Sequence, residues 1–165
     1  MLFGLTMGDT CGIGPEVLLK AWSEGNIRHQ VVVYGDLDIL EYYNDLLKFG
    51  VPLRRIARIA EQSQGTLNVL DAGIMRRQKL TIGQVNAESG RAAREYAVAA
   101  TRAALAGEIA AMVTLPMNKE ATQLSDPHFV GHTELIGDLC RAKDVTIMLV
   151  SDQLIVTHVS SSAQE

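Results

Sequence analysis

An α/β fold with a largely parallel central sheet is what this 165-residue sequence predicts, on three observations. Short β-branched or apolar runs recur without polar alternation, which suits strands buried on both faces. The segments between them carry helix punctuation, with Pro near a start and Gly just past an end. Strand and helix alternate along the chain with no internal repeat or low-complexity linker, the order of a sheet built from crossover units.

Taken in order, Leu2 to Met7 reads as a buried strand leading into a glycine turn. Pro15 to Glu24 follows as a helix, its proline in the first turn where no amide donor is missed, and Gly25 as its stop. Val31 to Tyr34 is a β-branched strand, and Asp36 is placed to cap a helix whose Ile39, Leu40, Tyr43, Leu46 and Leu47 share one face until Gly50 and Pro52. Leu53 to Ile59 and Leu67 to Leu70 read as short strands in an otherwise loop-like stretch. Asn86 opens the longest helix, alanine-rich from about Ala87 to Ala106, with Gly107 as its stop. Ala110 to Thr114 is a further buried strand, followed by a helix near Glu134 to Arg141 and strands near Val145 to Val150 and Leu154 to Val159.

The length suits a single sizeable core, and 47% hydrophobic with 21% charged residues is ordinary for a globular α/β protein. A net charge of −4 with no basic block argues against nucleic acid as a partner. No apolar run approaches the roughly 18 residues of a membrane span, and no basic region precedes the first apolar stretch, so neither membrane nor secretory leader is expected. Cys11 and Cys140 lie far apart and read as two unpaired thiols in a reducing cytoplasm.

Four stretches carry candidate chemistry. The first, MGDTCGIGPEV from Met7, offers backbone amides at the start of a helix, an arrangement that suits an anion. The dinucleotide fingerprint needs a third glycine where Val17 stands, Glu16 has the wrong sign for a pyrophosphate, and the Walker Gly-Lys-Ser/Thr is absent. The stretch is therefore a structural turn or the border of an active site in another fold. The second, TLPMNKEATQL from Thr114, follows a strand and so falls where open sheets bind ligands; Lys119 is a cation there, or a solvated lysine, and Asn118 a neutral donor and acceptor. The third, FVGHTEL, brings His132 and Thr133 together after Gly131, although Thr133 would equally serve as a helix cap. The fourth, LIVTHVS, ends an apolar strand at His158, by itself a satisfied structural residue; His29 and His128 fit no pattern and read as surface or loop residues.

These stretches, in this order, resemble the 4-hydroxythreonine-4-phosphate dehydrogenase (PdxA-type) family of the isocitrate and isopropylmalate dehydrogenase superfamily. Its members read Gly-Asp-Pro-Ala-Gly-Ile-Gly-Pro-Glu, then Thr-Gly-Pro-x-Asn-Lys-Glu, Gly-His-Thr-Glu and Thr-Thr-His. Here Thr10-Cys11 replaces Pro-Ala, Leu115 replaces a glycine, and Val156-Thr157 precedes His158. The resemblance implies a three-layer α/β/α fold of which residues 1–165 are the N-terminal half, about 1–115 from a first domain and 116–165 the start of a second. It implies oxidation by NAD or NADP of the secondary alcohol of 4-phosphohydroxy-L-threonine or a related phosphorylated hydroxy acid, with loss of carbon dioxide from the 3-keto acid. Pyridoxal phosphate biosynthesis or sugar-acid catabolism would be its setting. A divalent zinc, cobalt or magnesium ion would polarise the oxygen, with His158 as one ligand and the others outside this chain. His132, Thr133 and Asn118 are then substrate-binding, Lys119 a catalytic candidate in the same cleft, and Asp9, Gly12 and Gly14 line it. A cytoplasmic homodimer is expected, with the isolated chain inactive. Phosphate acyl transfer on the same fold and a non-catalytic fragment or interaction module are the two other readings.

Overall fold

The computed structural model describes residues 1–27 and 30–157. Among them the chain runs β1 (Phe3–Thr6), α1 (Gly14–Ser23), β2 (Val31–Gly35), α2 (Leu37–Leu47), β3 (Leu53–Ile56), β4 (Leu67–Asp71), α3 (Ala87–Leu105), β5 (Ala111–Thr114), α4 (Lys119–Gln123), α5 (His132–Cys140), β6 (Met148–Val150) and β7 (Ile155–Thr157). The first five strands form one sheet, ordered β3-β4-β2-β1-β5, with every neighbouring pair parallel. From β1 to β2 the chain moves one way along the sheet, and from β4 to β5 it moves the other way. Right-handed crossovers then set α1 and α2 on one face and α3 on the other. The expected three layers follow: α2 packs on β3 and β4, and α3 on β1, β2 and β5.

The core is the interface between these layers. Leu5, Val32, Val33 and Val69 of the sheet pack with Leu18, Leu19, Leu40 and Tyr96 of the helices, all buried. Ile39, Leu40 and Tyr43 of α2 are buried as the helical spacing predicts, whereas Leu46 and Leu47 are exposed because the last turn outruns its cover.

Asp36 stands at the N-cap of α2, but its side chain makes no cap bond. Its buried carboxylate instead accepts from the Ile74 amide at 2.9 Å, the Met75 amide and the Tyr96 hydroxyl at 2.7 Å. A carboxylate this deep needs several donors, and the helix start is served by Asp71, whose Oδ1 accepts from the Leu37 amide at 3.0 Å. Burial, with Asp36 beside it, pushes the Tyr96 hydroxyl well above its ordinary range, so it remains a donor. Asn86 does cap α3, accepting from the Ser89 amide at 3.0 Å, and Gly107 follows the helix with a φ of 75°.

Other departures are local. β3 stops at Ile56 and the chain turns into a short 3₁₀ segment at Ile59–Glu61. α4 was not expected, because five residues are too few for a helical period to show. β6 and β7 form a separate antiparallel pair, shorter than the strands read from the sequence, with Val159 outside the described residues. No helix among the described residues is long and apolar enough to cross a membrane. Neither Cys11, which is buried, nor Cys140, which is exposed, is in a disulfide.

Candidate functional site

The chain's direction along the sheet reverses between β1 and β5, which lie side by side with Thr6 opposite Thr114. In open parallel sheets the crevice beyond the carboxyl ends of the strands at such a reversal is the usual ligand position. The glycine turn leaves β1 there, and the Thr114 stretch leaves β5 there.

The glycine turn directs its polar atoms inward. Asp9 is buried, and its carboxylate accepts from the Cys11 amide at 2.9 Å and from the Ser89 hydroxyl. A methyl group on Gly12 would lie 3.2 Å from that carboxylate. One on Gly14 would lie 2.1 Å from the Met7 carbonyl oxygen, so the chain's own backbone occupies the space that a phosphate needs at a dinucleotide loop. The turn meets the neighbouring stretch through the Asp9 amide, which donates to the Pro116 carbonyl at 2.9 Å.

Beyond Pro116, Asn118 caps α4, its Oδ1 accepting from the Ala121 amide at 3.0 Å. Lys119 is the first residue of α4 and exposed. α5 begins at His132, with Gly131 in the cap position on an extended backbone and no side-chain cap. Thr133, one of whose sequence readings was the cap, instead lies inside the first turn with its side chain on the cavity described below. A methyl group on Gly131 would stand 3.8 Å from Lys119 Nζ and 3.0 Å from Glu134 Oε2. The fold therefore carries the Lys119 ammonium to the start of α5, whose first amides have no carbonyl partner within the helix. The ammonium and the free amides favour an anion there, and the Glu134 carboxylate in the same first turn offsets part of that field.

Against this turn lies an open cavity of about 530 Å³, lined by Thr114, His132, Thr133, Cys140, Asp144 and Thr146 among others. His132 is half-buried, and that burial pushes its imidazole below the ordinary histidine range. At neutral pH it is uncharged, with one nitrogen to donate and the other to accept. Neither Thr114 nor Cys140 is a site residue in the sequence reading: Thr114 only opens the stretch placed at a strand's carboxyl end, and Cys140 reads as an unpaired thiol. His128 is exposed in a turn. His29 and His158 lie outside the described residues. Among the described residues no group of three or more His, Cys, Asp or Glu side chains could hold a metal ion, so they do not by themselves form a metal site.

The family model described as "Pyridoxal phosphate biosynthetic protein PdxA" matches residues 27–163. A D-threonate 4-phosphate dehydrogenase of Salmonella typhimurium is 38% identical over 161 residues, covering 95% of this chain and 49% of the relative. A 4-hydroxythreonine-4-phosphate dehydrogenase of Beijerinckia indica is 36% identical over 152 residues, covering 91% of this chain and 45% of the relative. The crystal structure of a 4-hydroxythreonine-4-phosphate dehydrogenase from Klebsiella pneumoniae superposes with a TM-score of 0.88 at 36% identity, over 97% of this chain and 51% of that one. The chain spans about half the length of the curated relatives it matches.

Proposed function

Because this chain belongs to the PdxA family, we propose that it forms the substrate-anion half of a dehydrogenase acting on a small phosphorylated hydroxy acid. The observation that carries the reading is the approach of Lys119 to Gly131, the residue that precedes the cavity-lining His132 and Thr133. Lys119 supplies the positive charge, the first amides of α5 and the Thr133 hydroxyl supply donors, and the neutral imidazole of His132 donates from one nitrogen. This set suits the oxygens of a phosphate group and fixes how the substrate lies. Asn118 contributes through the α4 start that it caps. Asp9, Gly12 and Gly14 belong to the turn that the Asp9 amide ties to Pro116, at the border of this cleft.

Oxidation needs a hydride acceptor, NAD or NADP by the resemblance, and a divalent ion to which His158 would be one ligand. The described residues supply no ligand set for that ion, and the chemistry assigned to this chain is anion binding and orientation. A cytoplasmic homodimer completes the reading. The relatives point to 4-phosphohydroxy-L-threonine and D-threonate 4-phosphate as the compounds to try.

The test is a calorimetric titration of the 165-residue chain with D-threonate 4-phosphate, D-threonate and inorganic phosphate. The two phosphates should bind and the free acid should bind more weakly. Lys119→Ala should weaken phosphate binding by about tenfold or more, the worth of one charge-assisted contact. Equal affinity for D-threonate and its phosphate, or indifference to Lys119→Ala, sinks the reading.

A further inference from the structure

Two adjacent residues in the first turn of α3 touch both of the segments that meet at the candidate site. Ser89 is fully buried; its hydroxyl donates to the Asp9 carboxylate, lies 2.7 Å from Thr10 Oγ1 and accepts from the Cys11 amide at 3.2 Å. It fastens the glycine turn to α3. Gly90 faces α4. A methyl group there would lie 2.2 Å from the carbonyl carbon and oxygen of Ala121 and 2.3 Å from the Thr122 nitrogen. These are backbone atoms of a helix and have no rotamer by which to move aside, so any side chain at position 90 must push α4 outward.

The contact is locked from the other side. The Thr122 hydroxyl, fully buried, donates to the Asn118 carbonyl at 2.9 Å and reaches the Gly90 carbonyl at 3.4 Å. One turn further along α3, Arg94 Nε donates to Asp126 Oδ2 at 2.8 Å, fixing the connection between α4 and α5. Lys119 is the first residue of α4. The depth at which α4 sits on α3 therefore sets where the Lys119 ammonium stands relative to Gly131 and His132.

We propose that Gly90 and Thr122 are positioning residues for anion binding: the bare Gly90 backbone and the Thr122 hydroxyl seat α4 on α3 at the depth that brings Lys119 to the start of α5. The proposal rests on the reading of Lys119, His132 and Thr133 as the anion site. It separates from ordinary helix packing because a positioning effect must travel through Lys119, whereas a packing defect weakens the site whichever residue stands at 119.

The experiment is a double-mutant cycle read by titrating inorganic phosphate into the isotope-labelled chain and following the His132 and Thr133 amides. Gly90→Ala alone should weaken phosphate binding about fivefold, and in a Lys119→Ala background it should change affinity by less than about twofold. Thr122→Val, which keeps the volume and removes the hydroxyl, should show the same coupling if Gly90→Ala fails to fold, and Thr122→Ser should restore wild-type affinity. Equal losses in both backgrounds overturn the positioning role and leave the site reading intact. Failure of the wild-type chain to bind phosphate at all overturns the site reading and the proposal with it.

Discussion

β2 and β7 are made of the same material and meet opposite fates. β2 reads Val31-Val32-Val33-Tyr34-Gly35 and is buried at every position. β7 reads Ile155-Val156-Thr157 and is exposed at every position, with Ile155 at 63%. The difference lies in their neighbours. β2 has β1 on one side and β4 on the other, with helical layers on both faces of the sheet. β7 pairs with β6 alone, and β6 is equally exposed. A β-branched run specifies an extended backbone, but the cover that makes it stable comes from elsewhere in the chain, and a lone two-stranded hairpin is marginal in water.

The largest test of this contrast is a pair of truncations. Leu40→Ala, at a fully buried position of α2, should cost about 2–5 kcal/mol in urea unfolding. Leu154→Ala, at 64% exposure beside β7, should fall within about 0.5 kcal/mol of wild type. A comparable cost at the two positions would break the contrast and show the hairpin to be covered in solution.

An alkaline titration sharpens it next, because all four tyrosines belong to the layered body. Burial, reinforced by Glu108, pushes the Tyr34 hydroxyl up to about 12, and burial, reinforced by Cys11 and Asp9, pushes Tyr43 up to about 12. Both folded values are raised, so their contribution is complete below the unfolded value near 10 and is lost as pH climbs from there toward 12. The full loss is about 2–3 kcal/mol per tyrosine. The Tyr34 hydroxyl has no hydrogen-bond partner among the described residues, so Tyr34→Phe should remove its share of the alkaline loss at little cost near neutrality. Unfolding curves in which Tyr34→Phe leaves the alkaline slope unchanged would contradict this.

The smallest effect is expected at His132, on the boundary between the two regions. Burial lowers its folded pKa, so the unfolded chain takes up its proton first as pH falls. Stability should be unaffected above the ordinary histidine value near 6.5 and should decline as pH drops through it toward the folded value. His132→Asn should flatten that decline in an acid series of unfolding curves; an unchanged decline would show the ring to be solvated in both states.

Much of the fold could be read locally. The Val31 run, the alanine-rich helix and its Asn86 cap and Gly107 stop all came out where their chemistry predicts, since each depends on neighbours a few residues away. Asp36 was legible as a cap position but not in its use, because its three donors come from Ile74, Met75 and Tyr96. α4 was hidden by its shortness, and the start of α5 moved from Glu134 to His132 because Gly131 takes the cap position.

The sequence by itself determined the alternation of strands and helices, the parallel sheet and the family, because those reside in short runs whose backbone preferences and spacing are local. Only the tertiary structure decided which of two equally β-branched runs is buried. It alone decided that Ser89 and Gly90, far along the chain from the glycine turn, hold that turn and α4, and that Lys119 stands over Gly131. Such contacts join residues distant in the chain, and ordering them is affordable only to the packed layers as a whole.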